Sequence, residues 1–202
     1  TFQGYLTAAR TDDNLDNTVS AWSCLARVAF SRGDTAEAVR RLESARAVAG
    51  PTHRYAGVLL SNLGLVYLSG GQMEPAEEVT HAGRELARQH GNIGQVILSS
   101  GALSEICLEL DKLDEAEHHA REALELALAH GSILHQADRI WSHLAVVECI
   151  RGNFHAAREA QTRWHDRFGP SGSPISQALL MPVKAWIEAG LGESERAREM
   201  LA

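Results

Sequence analysis

Leu60-Ser61-Asn62-Leu63-Gly64-Leu65-Val66-Tyr67, followed by Gly71 and Ala76, decides the fold, because its pattern returns four more times along the chain. In register, Trp22, Leu60, Ser100, Trp141 and Met181 open the copies, which start 38 to 41 residues apart. Three residues on stand Leu25, Leu63, Leu103, Leu144 and Lys184, followed at once by an unbroken column of small residues: Ala26, Gly64, Ser104, Ala145 and Ala185. Twelve residues further lies a second small column: Ala38, Ala76, Ala116, Ala157 and Ala197. Small residues at fixed offsets let two helix backbones approach closely, so each copy reads as one helical hairpin and the series as a stack.

The columns predict first helices over 14–31, 53–69, 93–110, 133–150 and 174–189, and second helices over 35–49, 73–90, 113–130, 154–167 and 194–202. Each pair pivots on Gly33, Gly71, Asp111, Gly152 or Gly192. Glycine accepts the left-handed conformation that ends a helix, and aspartate is among the few residues that can replace it. Asp34 with Glu37 resembles a capping box, and Pro75 suits a first turn. His90-Gly91-Asn92 and His130-Gly131-Ser132 read as a helix end followed by a new N-cap. A further column, Val28, Val66, Ile106, Val147 and Ile187, is β-branched throughout and is expected inside the packed seam. Alternation with a period of two is nowhere sustained, which argues against a sheet.

The hairpins therefore span about 14–49, 53–90, 93–130, 133–167 and 174–202, one solenoid over residues 1–202, with 1–11 as the tail of a preceding hairpin. This reading takes the chain as cut from a longer array. The loop Gly169-Pro170-Ser171-Gly172-Ser173-Pro174 excludes helix and is an ordinary connection or a hinge.

A formal net charge of -7, with arginines interleaved among glutamates as in Glu37/Arg41 and Glu117/Arg121, leaves no basic stripe for phosphates. Direct nucleic-acid binding is not expected. Cys24, Cys107 and Cys149 are odd in number and set in apolar stretches, as expected of reduced thiols in a cytoplasmic protein. No apolar run reaches membrane-span length, so no membrane partner is expected.

The pattern resembles the tetratricopeptide repeat family. Copy two carries it best in Leu60-x2-Leu63-Gly64-x2-Tyr67, Gly71 and Ala76; copies one and four follow with Trp22-x2-Leu25-Ala26, Gly33, Ala38 and Trp141-x2-Leu144-Ala145, Gly152, Ala157. Copy three carries Cys107 where Tyr67 stands. Copy five departs furthest, with Lys184 for the leucine and Pro182 inside the expected helix. The family's unit is about 34 residues; the excess here falls at the joins between hairpins. Longer hairpins of this kind are similar to the sensor arrays of large bacterial LuxR-like and maltose-activator-type regulators. The resemblance implies an all-α right-handed superhelical solenoid that binds a protein or peptide within a regulator.

First helices line the concave face in this family, and the resemblance puts Ser20, Ser23, Arg27, Phe30 and Ser31 there from copy one, then Val58, Ser61, Asn62, Leu65, Leu68 and Ser69. Copy three adds Leu98, Gly101, Glu105, Leu108 and Glu109, and copy four Arg139, Ser142, Val146, Cys149 and Ile150. Such a groove, aliphatic with small residues and few charges, suits an amphipathic helix or an extended peptide. Family members that grip acidic tails present basic residues and asparagines at set places, and of the corresponding residues only Asn62 fits.

Candidate chemistry is sparse. Glu115 with His119, and His118 with Glu122, are i,i+4 pairs able to ligate zinc, but a site needs three or four converging ligands, and a solvated face is the expectation. Glu148 and Glu188 occupy the seam position of Tyr67, where an unpaired carboxylate is costly; Arg151 or Arg139 is the expected partner of Glu148. No catalytic triad, phosphate-binding loop, cofactor site or metal site is legible. The expectation is a non-catalytic scaffold. The alternatives are a self-associating array, dimerising through its terminal hairpins, and a small-molecule receptor built on Phe30, Leu68 and Arg27.

Overall fold

The computed structural model describes residues 15–131, 137–168 and 174–201. Among them are ten α-helices and no strand: α1 (Leu15–Ser31), α2 (Thr35–Ala49), α3 (Ala56–Ser69), α4 (Met73–Gln89), α5 (Ile93–Glu109), α6 (Leu113–Ala129), α7 (Ala137–Ile150), α8 (Phe154–Phe168), α9 (Pro174–Gly190) and α10 (Ser194–Leu201). They match the sequence-derived spans to within a few residues. The expected tail over 1–11 and the loop over 169–173 lie outside the described residues. Among the described residues no helix is long and apolar enough to cross a membrane.

All five expected pivots have positive φ: Gly33 at 78°, Gly71 at 74°, Asp111 at 58°, Gly152 at 77° and Gly192 at 88°. Aspartate tolerates this left-handed turn at modest cost, and so the third hairpin closes without glycine. The Asp34 side chain accepts a hydrogen bond from Glu37 N at 3.0 Å, half of a capping box. The other half is absent, because the Glu37 carboxylate is drawn instead to Arg40 and Arg41, at 2.7 and 2.6 Å. These two guanidiniums hold the Glu37 carboxyl below its usual range, Arg40 foremost.

The chain divides into two compact units between Ala102 and Leu103, inside α5. In the first unit α1 packs on α2, α2 on α3, and α3 on α4. Val19, Trp22, Ala26, Ala38, Leu42, Leu59 and Leu63 form its core, and Arg41 lies over the Trp22 ring at 4.9 Å. Helices α3 and α4 meet almost backbone to backbone. A Cβ on Gly57 would lie 2.8 Å from Gly83 O, and one on Gly64 would lie 1.9 Å from Thr80 Oγ1. The repeat pattern identifies Gly64; the Gly57–Gly83 contact escaped it because neither residue belongs to a column that is small in every copy. A further tie joins the second hairpin to the first: Asp16 accepts from both His53 Nε2, at 3.0 Å, and Arg54.

In the second unit α7 packs on α6 and α8, and α9 on α7, α8 and α10. Trp141, Ala145, Cys149, Ala157, Leu180 and Ile187 form one core cluster, and Cys107, Ala116 and Val147 another. Helix α9 continues through Pro182, whose exposed position leaves its ring facing away from the packed seam. Ser104 replaces the Gly64 of the first unit and donates to Ala116 O at 2.9 Å, so the small column here is also a hydrogen-bonding one. Both small columns are buried throughout, and of the β-branched column only Val28 is part-exposed.

Candidate partner-binding site

A cavity of about 370 Å³ opens between α1 and α3, lined by Ser20, Ser23, Cys24, Ala26, Arg27, Phe30, Leu42, Asn62, Leu65 and Val66. Helical spacing puts Ser20, Ser23, Arg27 and Phe30 on one face of α1. Asn62 and Leu65, one turn apart, do the same from α3. Six residues of the sequence-derived groove, Ser20, Ser23, Arg27, Phe30, Asn62 and Leu65, thus come together here. Among the described residues, Arg27 makes no ion pair and the Asn62 carboxamide no hydrogen bond. The Ser23 hydroxyl, by contrast, donates to Val19 O at 3.0 Å.

Ser31, Val58, Ser61, Leu68 and Ser69 of the expected groove do not line this cavity. Ser61 is buried, and its hydroxyl bonds Gly57 O at 2.9 Å and Ser99 Oγ at 2.8 Å, so it ties α3 internally and to α5. Leu68 is half-buried and does not line the cavity. Cys24 was not foreseen at the site. It stands four residues after Ser20 and three before Arg27, so helical spacing places it on the same face of α1, and the signal was present in the sequence.

In the second unit the corresponding residues are already engaged. Arg139 pairs with Glu105 at 3.2 Å, and the Ser142 hydroxyl donates to Arg139 O at 2.6 Å. Leu108 packs against the Cys107 cluster, Val146 is half-buried, and Cys149 is buried rather than groove-facing. Burial, and secondarily Glu148, pushes the Cys149 thiol up to about 11. His143, in the register place of Asn62, is buried, and burial together with the Arg139 charge lowers its imidazole to about 3.

The seam carboxylates are paired. Glu188 bonds Arg158 at 2.7 Å, with Arg196 at 3.5 Å. Glu148 accepts from Asn153 at 3.0 Å and has Arg151, rather than Arg139, at 3.9 Å. Arg151 spends its guanidinium mainly on Asp114 and Glu117, at 2.5 and 2.6 Å. That contact, ahead of Arg121, holds the Glu117 carboxyl below its usual range against the opposing effect of burial. The solvated face expected at His118 and His119 holds only for His118, since His119 is buried. The two rings thus face different surroundings and do not converge as ligands.

The family model for the tetratricopeptide repeat matches residues 17–80. No curated protein matches the chain by sequence. Among solved structures, BtubC (BKLC) from P. vanneervenii superposes with a TM-score of 0.79 at 18% identity, covering 98% of this chain and 83% of that one. The TPR-like repeats of a putative kinesin light chain from Podosopora anserina give 0.69 at 17% identity, covering 91% of each chain. The Rap conjugation gene regulator of plasmid pLS20, solved in complex with the Phr* peptide, gives 0.70 at 18% identity, covering 95% of this chain and 53% of that one. At such identities the likeness speaks for the fold, and it establishes an all-α, tetratricopeptide-like array of helix hairpins.

Proposed function

We propose that this chain is a non-catalytic scaffold that binds a peptide or protein segment through the face of α1 and α3, as the sensing segment of a larger bacterial regulatory protein. The observation that carries the reading is the cavity itself. Two helices bring apolar walls, a guanidinium and a carboxamide to one opening, the mixture by which a groove anchors a peptide side chain and its backbone. The structural likeness to a regulator solved with a peptide supports the same reading.

Thermal shift against a peptide library tests it, since a ligand at 100 times its Kd stabilises by about 2.7 kcal/mol. The Arg27→Ala/Asn62→Ala variant is expected to keep its melting temperature and lose the peptide-induced shift. An undiminished shift would move binding to another face. The regulator reading is tested in the complete reading frame, where an ATPase module upstream or a helix-turn-helix downstream supports it.

One observation favours self-association as a second reading. Met181, Trp186 and Leu201 are exposed on the last hairpin, beside a shallow depression of about 420 Å³ lined by Pro182, Trp186 and Leu201 among others. Light scattering against concentration decides, because a monomer at high concentration eliminates it.

A further inference from the structure

The hairpin α9–α10 repeats the hairpin α7–α8 in register, yet a face that is covered in α7–α8 lies open in α9–α10. In α7–α8, Ala145, Cys149 and Ala157 are buried in one cluster with Leu180 and Ile187 of the helix that follows, α9. Arg158, next to Ala157, takes a carboxylate from that same helix, Glu188 at 2.7 Å. The register equivalents are Ala185, Ala189, Ala197 and Arg198, and with Trp186 and Leu201 they line the depression of about 420 Å³ on the last hairpin. Ala189 is exposed where Cys149 is buried, and Trp186 is exposed where Val146 is half-buried.

Resting on the self-association reading above, we propose that the occupant of this face is a second copy of the chain, which lays its own α9–α10 face against it about a two-fold axis. The depression has an alanine floor between the large walls of Trp186 and Leu201. In a two-fold contact each copy supplies both parts, so the Trp186 and Leu201 side chains of one reach the floor of the other.

Charge favours the same occupant. Arg198 pairs with Glu195 on its own helix, and both side chains are largely exposed, which makes that pair weak and easily exchanged. Across a two-fold axis Arg198 of each copy meets Glu195 of the other, the kind of carboxylate contact that Arg158 already receives from Glu188. Residues 174–202 carry three cations and four carboxylates in a chain whose formal charge is -7, so two copies meet there with little repulsion.

Head-to-tail docking is disfavoured by the first helix. Ala21 of α1 stands in register with Leu180, the residue through which α9 packs on α7–α8, and Ala21 is fully buried. Helix α1 therefore offers no open face at that position to the α9–α10 face of another copy. A contact that matches only itself closes at two copies and does not propagate.

The test is sedimentation equilibrium from micromolar to millimolar protein. Wild type is expected to pass from monomer to dimer and no further. Trp186→Glu and Leu201→Glu, both at exposed positions, are each expected to weaken the dimer about thirtyfold. Arg198→Glu and Glu195→Arg are each expected to weaken it about tenfold, and a one-to-one mixture of the two to recover a heterodimer. A monomer at every concentration overturns the proposal and the self-association reading together. A dimer that survives both Trp186→Glu and Leu201→Glu overturns the placement on α9–α10 and leaves self-association standing. Growth beyond the dimer overturns the two-fold arrangement, and a charge-variant mixture that stays monomeric overturns the contact between Arg198 and Glu195. Should Trp186→Glu fail to fold, Leu201→Glu decides the placement, since that residue is 63% exposed.

Discussion

The two units build the same hairpin crossing from different materials. In the first, Gly57, Gly64 and Gly83 bring α3 and α4 into near backbone contact, with the Thr80 hydroxyl wedged against Gly64. In the second, Ser104 takes the Gly64 position and bonds Ala116 O, while Ala120 takes that of Thr80. The groove-face residues differ in the same way. Arg27 and Asn62 are uncommitted among the described residues, whereas Arg139 is paired with Glu105 and His143 is buried. Among the described residues, Arg27 and Asn62 of the first unit have no polar partner, whereas Arg139 of the second is paired within its own unit.

The crossing gives the largest expected effect. Gly64→Ser puts a Cβ where Thr80 Oγ1 already sits, and overfilling a tight core costs about 1–3 kcal/mol. Thr80→Ala, which removes a buried hydroxyl without a hydrogen-bond partner, is expected to restore most of that loss in the double variant. The pair then reproduces the second unit's serine–alanine combination. Urea unfolding of the two single variants and the double variant closes the cycle, and additive losses would show that the two crossings are not interchangeable.

Much of this was legible in sequence because backbone proximity leaves a compositional trace. Columns at Ala26, Gly64, Ser104, Ala145 and Ala185, and pivots at glycine or Asp111, fix the helices and their pairing before any coordinate is known. What sat on the helix faces was only half legible. Arg27, Phe30, Asn62 and Leu65 were assigned to the groove and do line the cavity, but Ser61 occupies an equivalent place and is buried by a bond to Ser99. Which way a small polar residue turns depends on its neighbours in space, such as Ser99, 38 positions away. Of the two partners expected for Glu148, Arg151 stands one turn away and is the one found, whereas Arg139, nine residues distant on the same helix, pairs with Glu105 of α5, a contact that only packing between helices reveals.

His143 should give the two units different acid responses. Its folded pKa of about 3 lies below the ordinary 6.5, so below pH 6.5 the unfolded chain takes up a proton that the folded one refuses. Stability from this residue is therefore fully present above pH 6.5 and declines as pH falls toward 3. The loss is about 2 kcal/mol by pH 5, at 1.36 kcal/mol per pH unit. His143→Asn, which copies the residue at Asn62, is expected to flatten the stability profile between pH 7 and 5. An unchanged slope in denaturant titrations at the two pH values would mean that other groups carry the acid response.

The smallest expected effect separates the two arginines. Arg139→Ala removes the partner of Glu105, and since both side chains are about a third exposed the loss is no more than about 1 kcal/mol. Arg27→Ala removes an exposed side chain with no described ion pair, and its stability should stay within about 0.5 kcal/mol of wild type. A residue that stability does not require, standing over an apolar cavity, is free to be selected by what the cavity binds. If Arg27→Ala instead destabilised the chain as much as Arg139→Ala, the guanidinium would be part of the fold's own accounting and the distinction between the two units would collapse.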